Sequence, residues 1–411
     1  MRRVYYGWVL VATLGVTETI SWGVLYYAFT VYLAPMQAEL GWSRGDMTGA
    51  FSLALLVAGL AAIPVGRWLD RHGARFVMTV GSIAGTLLVL GWSQVQTLPA
   101  FYLIWAAIGL AMSVTLYDAA FATATMWFER YRVRALFAIT LMAGFASTIF
   151  IPLAGFLVQS QGWRPSLVTL ALVLAVGTIA PHALILRRRP EDLGLHPDGV
   201  RAAPQQRSQR VPGVPLGDAL RDGAFRWTAL ALWLTTVATI AVGVHLVPYL
   251  EDRGYDPTFA AAVTGAIGAM QVLARLVLAP FGERASPRLL AGVVLCLQPI
   301  ALLVLLLVRA TPGVLVFVAL FGAARGATTL VRPTLLAHLY GRAQYASIAG
   351  VMQFLLSLAQ AVAPVGAGVA YDALRSYEPI LWTLAALSSL SVLAIVPVRP
   401  NNALQPVQSQ P

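Results

Sequence analysis

Five ionisable side chains interrupt long apolar runs of this chain: Glu18, Asp118, Arg275, Arg325 and Arg332. An ionised group at the centre of a bilayer costs roughly 2.5–3.5 kcal/mol even on a lenient scale, so each is expected to face an interior and to serve a purpose. Two acids against three arginines leave a surplus of positive charge. Such a cavity suits an anion, and the guanidinium fork matches a carboxylate in particular. Arg275 is the first choice for that contact, because Gln271 lies one turn away on the same helix face and can donate a further hydrogen bond. Arg325 is a near-equal rival: the two can share one carboxylate or hold the two ends of a dicarboxylate. Arg332, two turns beyond Arg325, reads instead as a brace or as a side chain reaching for the interface. Glu18 and Asp118 are alternative proton carriers. Tyr117 adjoins Asp118 about 100° away around a helix, so at most one of them faces a centre squarely. Tyr26 and Tyr27 either line the same space or pack. His245 is of the one type whose ordinary charge change falls near neutral pH.

The elements that must position these groups are membrane-spanning helices. Of 411 residues 58% are apolar and 11% charged, against roughly half and a quarter in a soluble domain. One soluble core cannot hide that much apolar surface, whereas helices of ~20 apolar residues cross a bilayer. Twelve runs qualify, from Tyr6–Ala34 to Ile380–Val396. The net charge of +11 comes from arginine alone and is confined largely to alternate loops, such as those with Arg67, Arg71 and Arg75 or Arg130, Arg132 and Arg134. The opposite loops hold only Arg44, Arg164, Arg253, Arg309 and Arg375. That asymmetry is a topology signal and not a nucleic-acid patch; it puts both termini and the central loop in the cytoplasm of a bacterial-type inner membrane. Cys296 is the only cysteine, which excludes an internal disulfide and disfavours a metal site. No cleavable signal opens the chain, and no nucleotide-binding G-x-x-x-x-G-K-[ST], HExxH, CxxC or GxSxG is present. Neither an enzyme nor a bound cofactor is expected.

The runs fall into an N-terminal bundle of six helices (1–187), a polar cytoplasmic linker (188–222), a C-terminal bundle of six (223–397) and a tail (398–411). The linker fragment "RRRPEDLGLHPDG" is expected to have little regular structure. The halves echo each other: "IPVGRWLDRHGAR" in "APFGERASPR", and "IPLAGFLVQSQGW" in "APVGAGVAYDALRSY". Duplicated bundles with a site near the midplane are a recurring transporter architecture.

The strongest local motif is Gly66-Arg67-Trp68-Leu69-Asp70-Arg71-His72-Gly73-Ala74-Arg75. Asp70 at a helix end can face the positive amino terminus of a neighbouring helix, while Arg71 and Arg75 are suited to carboxylates across the seam between bundles. Here the chain resembles the major facilitator superfamily, whose loop between helices two and three carries G-x-L-x-D-R-x-G-x-R. The resemblance implies an all-α membrane fold of two pseudo-symmetric six-helix bundles, with Gly66, Asp70, Arg71, Gly73 and Arg75 as a conformational latch. "GVLYYAFTVYLAPMQAELGWSRGDMTGAFS" and "WFERYRVRALFAITLMAG" resemble its monocarboxylate and oxalate/formate branch. That narrower resemblance implies that Arg275 with Gln271, Tyr117 and His245 surround the substrate. Gln271 stands where many animal members have Asp, and the lysine that some members place on helix one is absent. The expectation is a monomeric secondary transporter of a small organic anion, a monocarboxylate, by proton symport or anion exchange. The alternatives are a proton-coupled exporter of drugs or other hydrophobic or metalloid compounds, and a membrane ligand sensor that transports nothing.

Overall fold

The computed structural model describes residues 5–199, 213–278 and 286–399. Within a bilayer every backbone N–H and C=O must be paired inside the protein, which leaves helices as the solution for apolar runs of this length. The described residues are accordingly mostly helical and hold no strand; Gly213 and Gly341 form an isolated bridge. The described residues hold twelve long helices. They are α1 (Tyr6–Leu33), α2 (Arg44–His72), α3 (Ala74–Ser93), α4 (Leu98–Trp127), α5 (Arg132–Gln161) and α6 (Trp163–Leu184). Then follow α7 (Gly223–Asp252), α8 (Pro257–Leu278), α9 (Pro287–Leu307), α10 (Thr311–Tyr340), α11 (Tyr345–Leu374) and α12 (Glu378–Ile395). Among the described residues, eleven are long and apolar enough to cross a membrane; α8 contributes the shorter apolar stretch Ala262–Val277.

Local chemistry sets the boundaries. Ser43 accepts the Asp46 N–H at 3.0 Å while the Asp46 carboxylate accepts the Ser43 N–H at 3.2 Å, a capping box that starts α2. Gly41, at φ +71°, ends the helical continuation of α1. Pro287, Pro312 and Pro379 open α9, α10 and α12, where a missing N–H costs nothing.

The chain divides into two compact units, Met1–Pro212 with Arg342–Phe354, and Gly213–Gly341 with Leu355–Pro411. In the first unit α2 packs on α4, α1 on α5, and α3 on α4 and α6. Its core is aromatic: Trp105 meets Phe29 at 4.7 Å and Trp92 at 4.9 Å between ring centroids. In the second unit α10 packs on α8 and α9, and α12 on α7 and α9, around an aliphatic core with Phe317 and Phe321.

Two features depart from the sequence reading. The start of α11 groups with the first unit, so the division does not fall between the sixth and seventh spans alone. The linker does not begin as an irregular tether. Residues Pro190–Leu193 and Pro197–Gly199 form 3-10 turns, and the Asp198 carboxylate accepts the successive N–H groups of Glu129, Arg130 and Tyr131 at 3.2, 2.8 and 3.2 Å. Tyr5 donates to the carbonyls of Trp127 and His196, and burial beside Asp198 and Glu191 raises its phenol above the ordinary range. Polar punctuation hid these long-range partners. Residues 200–212, 279–285 and 400–411, with much of the linker, the worn motif copy and the tail, lie outside the described residues.

Candidate functional site

In the first unit α1 widens into a π-helical turn at Gly23–Tyr27, a rare element that often marks functional positions. The turn follows Trp22 and carries Tyr26 and Tyr27, all half-buried. Their rings form a chain: Trp22 to Tyr26 at 5.1 Å, Tyr26 to Tyr27 at 5.1 Å and Trp22 to Tyr117 at 5.0 Å. Tyr117 stacks on Phe121 at 5.0 Å. α4 is broken at Leu116 (φ −95°, ψ −171°), so Tyr117 and Asp118 open its second half, with Asp118 in the first turn. A carboxylate there meets the positive end of the half-helix. One turn before Trp22, Glu18 is 0% exposed, and among the described residues neither of its oxygens has a hydrogen-bond partner. Trp22 and Asp118 are its polar neighbours.

In the second unit Arg275 is 5% exposed and its Nε donates to the Gly326 carbonyl at 3.2 Å. The approach depends on Gly326: a Cβ there would sit 2.4 Å from the Gln271 carbonyl oxygen, so only glycine lets α8 and α10 come this close at that point. Gln271 is half-buried on the same turn of α8. Arg325 differs from Arg275 in kind. It stands at the midpoint of α10 and is exposed, its Nη1 3.8 Å from where a Cβ on Gly243 of α7 would lie. His245 is tied on both sides. Its Nε2 lies 3.2 Å from the Pro364 carbonyl and its Nδ1 3.2 Å from the Tyr377 hydroxyl. A carbonyl only accepts, so this network assigns the proton to Nε2 and leaves Nδ1 to accept from Tyr377. The structure thus packs Gln271 and Arg275 of α8 against Gly326, the chain neighbour of Arg325, and makes His245 a tie between α7, α11 and α12.

The motif residues lie at the end of α2. Asp70 accepts the N–H of Ala346 at 2.9 Å and of Ser347 at 2.8 Å, the first turn of α11. Gly66 allows this contact, since a Cβ there would lie 2.1 Å from the Ala346 oxygen. Gly73, at φ +76°, turns the chain into α3 and packs on Arg188, which donates to the Arg71 carbonyl. Arg75 donates to the Ala183 carbonyl at 2.7 Å. The sequence reading gave Arg75 a carboxylate; its described partner is a backbone oxygen at the end of α6, a helix terminus that offers unpaired acceptors.

Sequence reasoning passed over Trp22, Phe121 and Gly326. Only Gly326 left a trace, as a glycine beside an arginine within a span. The break at Leu116 left none, because no proline or glycine marks it.

The sequence profile of the Major Facilitator Superfamily matches residues 13–364. The chain belongs to the major facilitator superfamily. Among curated relatives of this superfamily member, monocarboxylate transporter 13 of Bos taurus is 26% identical over 366 residues, covering 86% of this chain and 80% of that protein. Monocarboxylate transporter 11 of Mus musculus is 30% identical over 294 residues, covering 69% and 62%. The oxalate:formate antiporter of Oxalobacter formigenes is 24% identical over 153 residues, 36% of each chain. Two solved structures share the fold at 14% identity. They are the transporter FucP in its outward conformation (TM-score 0.73; 95% of this chain, 98% of that one) and the human organic anion transporter MFSD10 (TM-score 0.72; 95% and 99%). The protein is a multi-pass membrane transporter of this superfamily, all-α in fold.

Proposed function

We propose that the protein is a secondary active transporter of a small organic anion, a monocarboxylate, working as a monomer by alternating access. The observation that carries this reading is the pair of arginines beside Gly326, Arg325 at the midpoint of α10 and Arg275 in the last turn of α8. Arg275 is locked on the Gly326 carbonyl, and Arg325, the residue that precedes Gly326 in α10, stands exposed. A buried arginine neighbour raises the local potential, and an exposed guanidinium can take a carboxylate bidentately. Arg325 makes the first contact in this reading, with Arg275 and Gln271 behind it. Tyr26, Tyr27 and Tyr117 offer hydroxyls and ring faces, and Glu18 or Asp118 carries a proton when transport is proton-coupled. The relatives named as monocarboxylate transporters and as an oxalate:formate antiporter support the substrate class. Asp70, with Gly66, Arg71, Gly73 and Arg75, serves as the latch, and the arginine-rich loops face the cytoplasm.

Reconstituted into liposomes, the wild type is expected to take up radiolabelled lactate or formate saturably. Arg325→Ala and Arg275→Ala should each lower uptake at least tenfold. Unchanged uptake in both would remove the anion site.

A second reading is an exporter of hydrophobic compounds, favoured by the acids and aromatic rings around Trp22 in the first unit. It requires that overexpression raise host tolerance to such compounds while carboxylate counterflow is absent. Saturable counterflow would equally exclude a sensor that moves nothing.

A further inference from the structure

Along α10, from Ala324 to Ala337, every residue is buried except Arg325, Thr328, Thr329 and Arg332. All four are polar. Their spacing of three, four and seven places them on one helix face, and seven residues advance about 10.5 Å with only ~20° of rotation. A face turned to lipid would be apolar, because a polar group there has no partner in hydrocarbon. The open face of α10 instead presents a cation, two hydroxyls and a second cation. Charge inside a span marks a wet pathway. The two threonines donate to carbonyls of their own helix, Thr328 to Ala324 at 2.8 Å and Thr329 to Gly326 at 2.7 Å. A hydroxyl rotates about its C–O bond, so each can turn its proton to a passing carboxylate while its lone pairs remain available.

We propose that this face is an anion lane, in which Arg332 is a second binding station for the carboxylate that Arg325 first receives. Arg332 lowers the barrier to leaving Arg325 by offering a like charge two turns on, and the threonine hydroxyls bridge the interval. The inference rests on the anion reading of Arg325, and it adds a residue and a direction of travel to it.

Charge-selective labelling tests the lane without knowledge of the substrate. With Cys296 replaced by serine, Thr328→Cys is exposed to two methanethiosulfonate reagents, one bearing a sulfonate and one a trimethylammonium. Each rate is divided by that reagent's rate with free cysteine. The anionic reagent should be favoured at least tenfold, and Arg332→Gln and Arg325→Gln should each cut that preference several-fold. Thr329→Cys provides an independent position should the first variant fold poorly. No labelling at either position, equal rates for both reagents, or a preference untouched by Arg332→Gln would overturn the lane. Uptake of radiolabelled lactate adds a readout that a brace would not move. Arg332→Gln should raise KM from one face of the membrane only, whereas loss of a brace lowers the maximal rate from both. Lactate uptake without anionic preference removes the lane and leaves the proposed function standing. Anionic preference without carboxylate transport supports the lane and removes that function.

Discussion

Glu39 shows how single residues hold the ends of the helices in the first unit. Its carboxylate accepts the Arg164 Nε at 2.9 Å and the Trp163 Nε1 at 2.5 Å, while Arg164 also donates to the carbonyls of Ser93 and Val95 at 2.7 and 2.9 Å. One guanidinium therefore ties the ends of α3 and α6 to the continuation of α1. The hydrogen bonds from Arg164 and then Trp163 hold the Glu39 carboxyl below its ordinary value of 4.5. A depressed acid contributes stability that is present above its unfolded pKa and is lost as pH falls through the folded one. Glu39→Gln should thus lower the thermal midpoint of the detergent-solubilised protein modestly at pH 7, since the pair is partly exposed and screened. The difference from wild type should shrink on acidification below about pH 4.5. A gap that stays constant down to pH 3 would assign the effect to packing and not to charge. Burial was legible in the sequence where an ionisable group interrupts an apolar run, as with Arg275 and Glu18. What could not be read was which arginine is reachable. That depends on Gly326 bringing α8 against α10 and burying Arg275 on a backbone oxygen, a contact between positions 51 residues apart.

Elements were legible as lengths of apolar chain and illegible as shapes. Apolar runs register the cost of leaving backbone in hydrocarbon, so the existence of spans follows from composition. The π-turn at Gly23–Tyr27 and the break at Leu116 do not change the count of apolar residues; they change only which side chains are presented. The fold of residues 187–199 was hidden for another reason. Its order comes from Asp198 and Tyr5 reaching partners far away in sequence, not from periodicity. The contact of α2 with the first turn of α11 is where element geometry and motif chemistry meet. Two amides of a helix start converge on Asp70, and the macrodipole adds to them. Gly66→Ala would place a carbon 2.1 Å from the Ala346 oxygen. Because that neighbour is backbone, the helices must separate and Asp70 must give up at least one amide. Transport is expected to fall at least tenfold, with equilibrium carboxylate binding kept within about threefold. Asp70→Asn, which keeps the size but loses the charge, should fall less. Equal loss of binding and transport in Gly66→Ala would show that the contact builds the site and not the latch.

At the scale of the whole molecule, the two units carry different chemistry. Acids and aromatic rings gather in the first, around Glu18, Trp22 and Tyr117, and arginines in the second, around Gly326. A carrier coupled to protons needs both a group that takes up charge and a group that holds the anion, and placing them in separate units makes their roles separable by mutation. Glu18→Gln removes the ionisable group while keeping a side chain of the same size in a site that, among the described residues, already lacks a hydrogen-bond partner. An unpartnered buried carboxylate costs more than an amide in an apolar interior, so the variant should fold at least as well as the parent. It should lose accumulation of labelled lactate against a gradient when an inward proton gradient is imposed, by an order of magnitude or more. Exchange of internal for external lactate at equal pH should remain within about threefold, because exchange returns the carrier loaded and requires no net proton movement. Arg325→Gln should fail in both assays, since it removes the anion contact itself. If Glu18→Gln abolished exchange as well, Glu18 would belong to the binding site. If it left gradient-driven accumulation intact, the proton would travel on Asp118, and Asp118→Asn should then give the separation expected of Glu18.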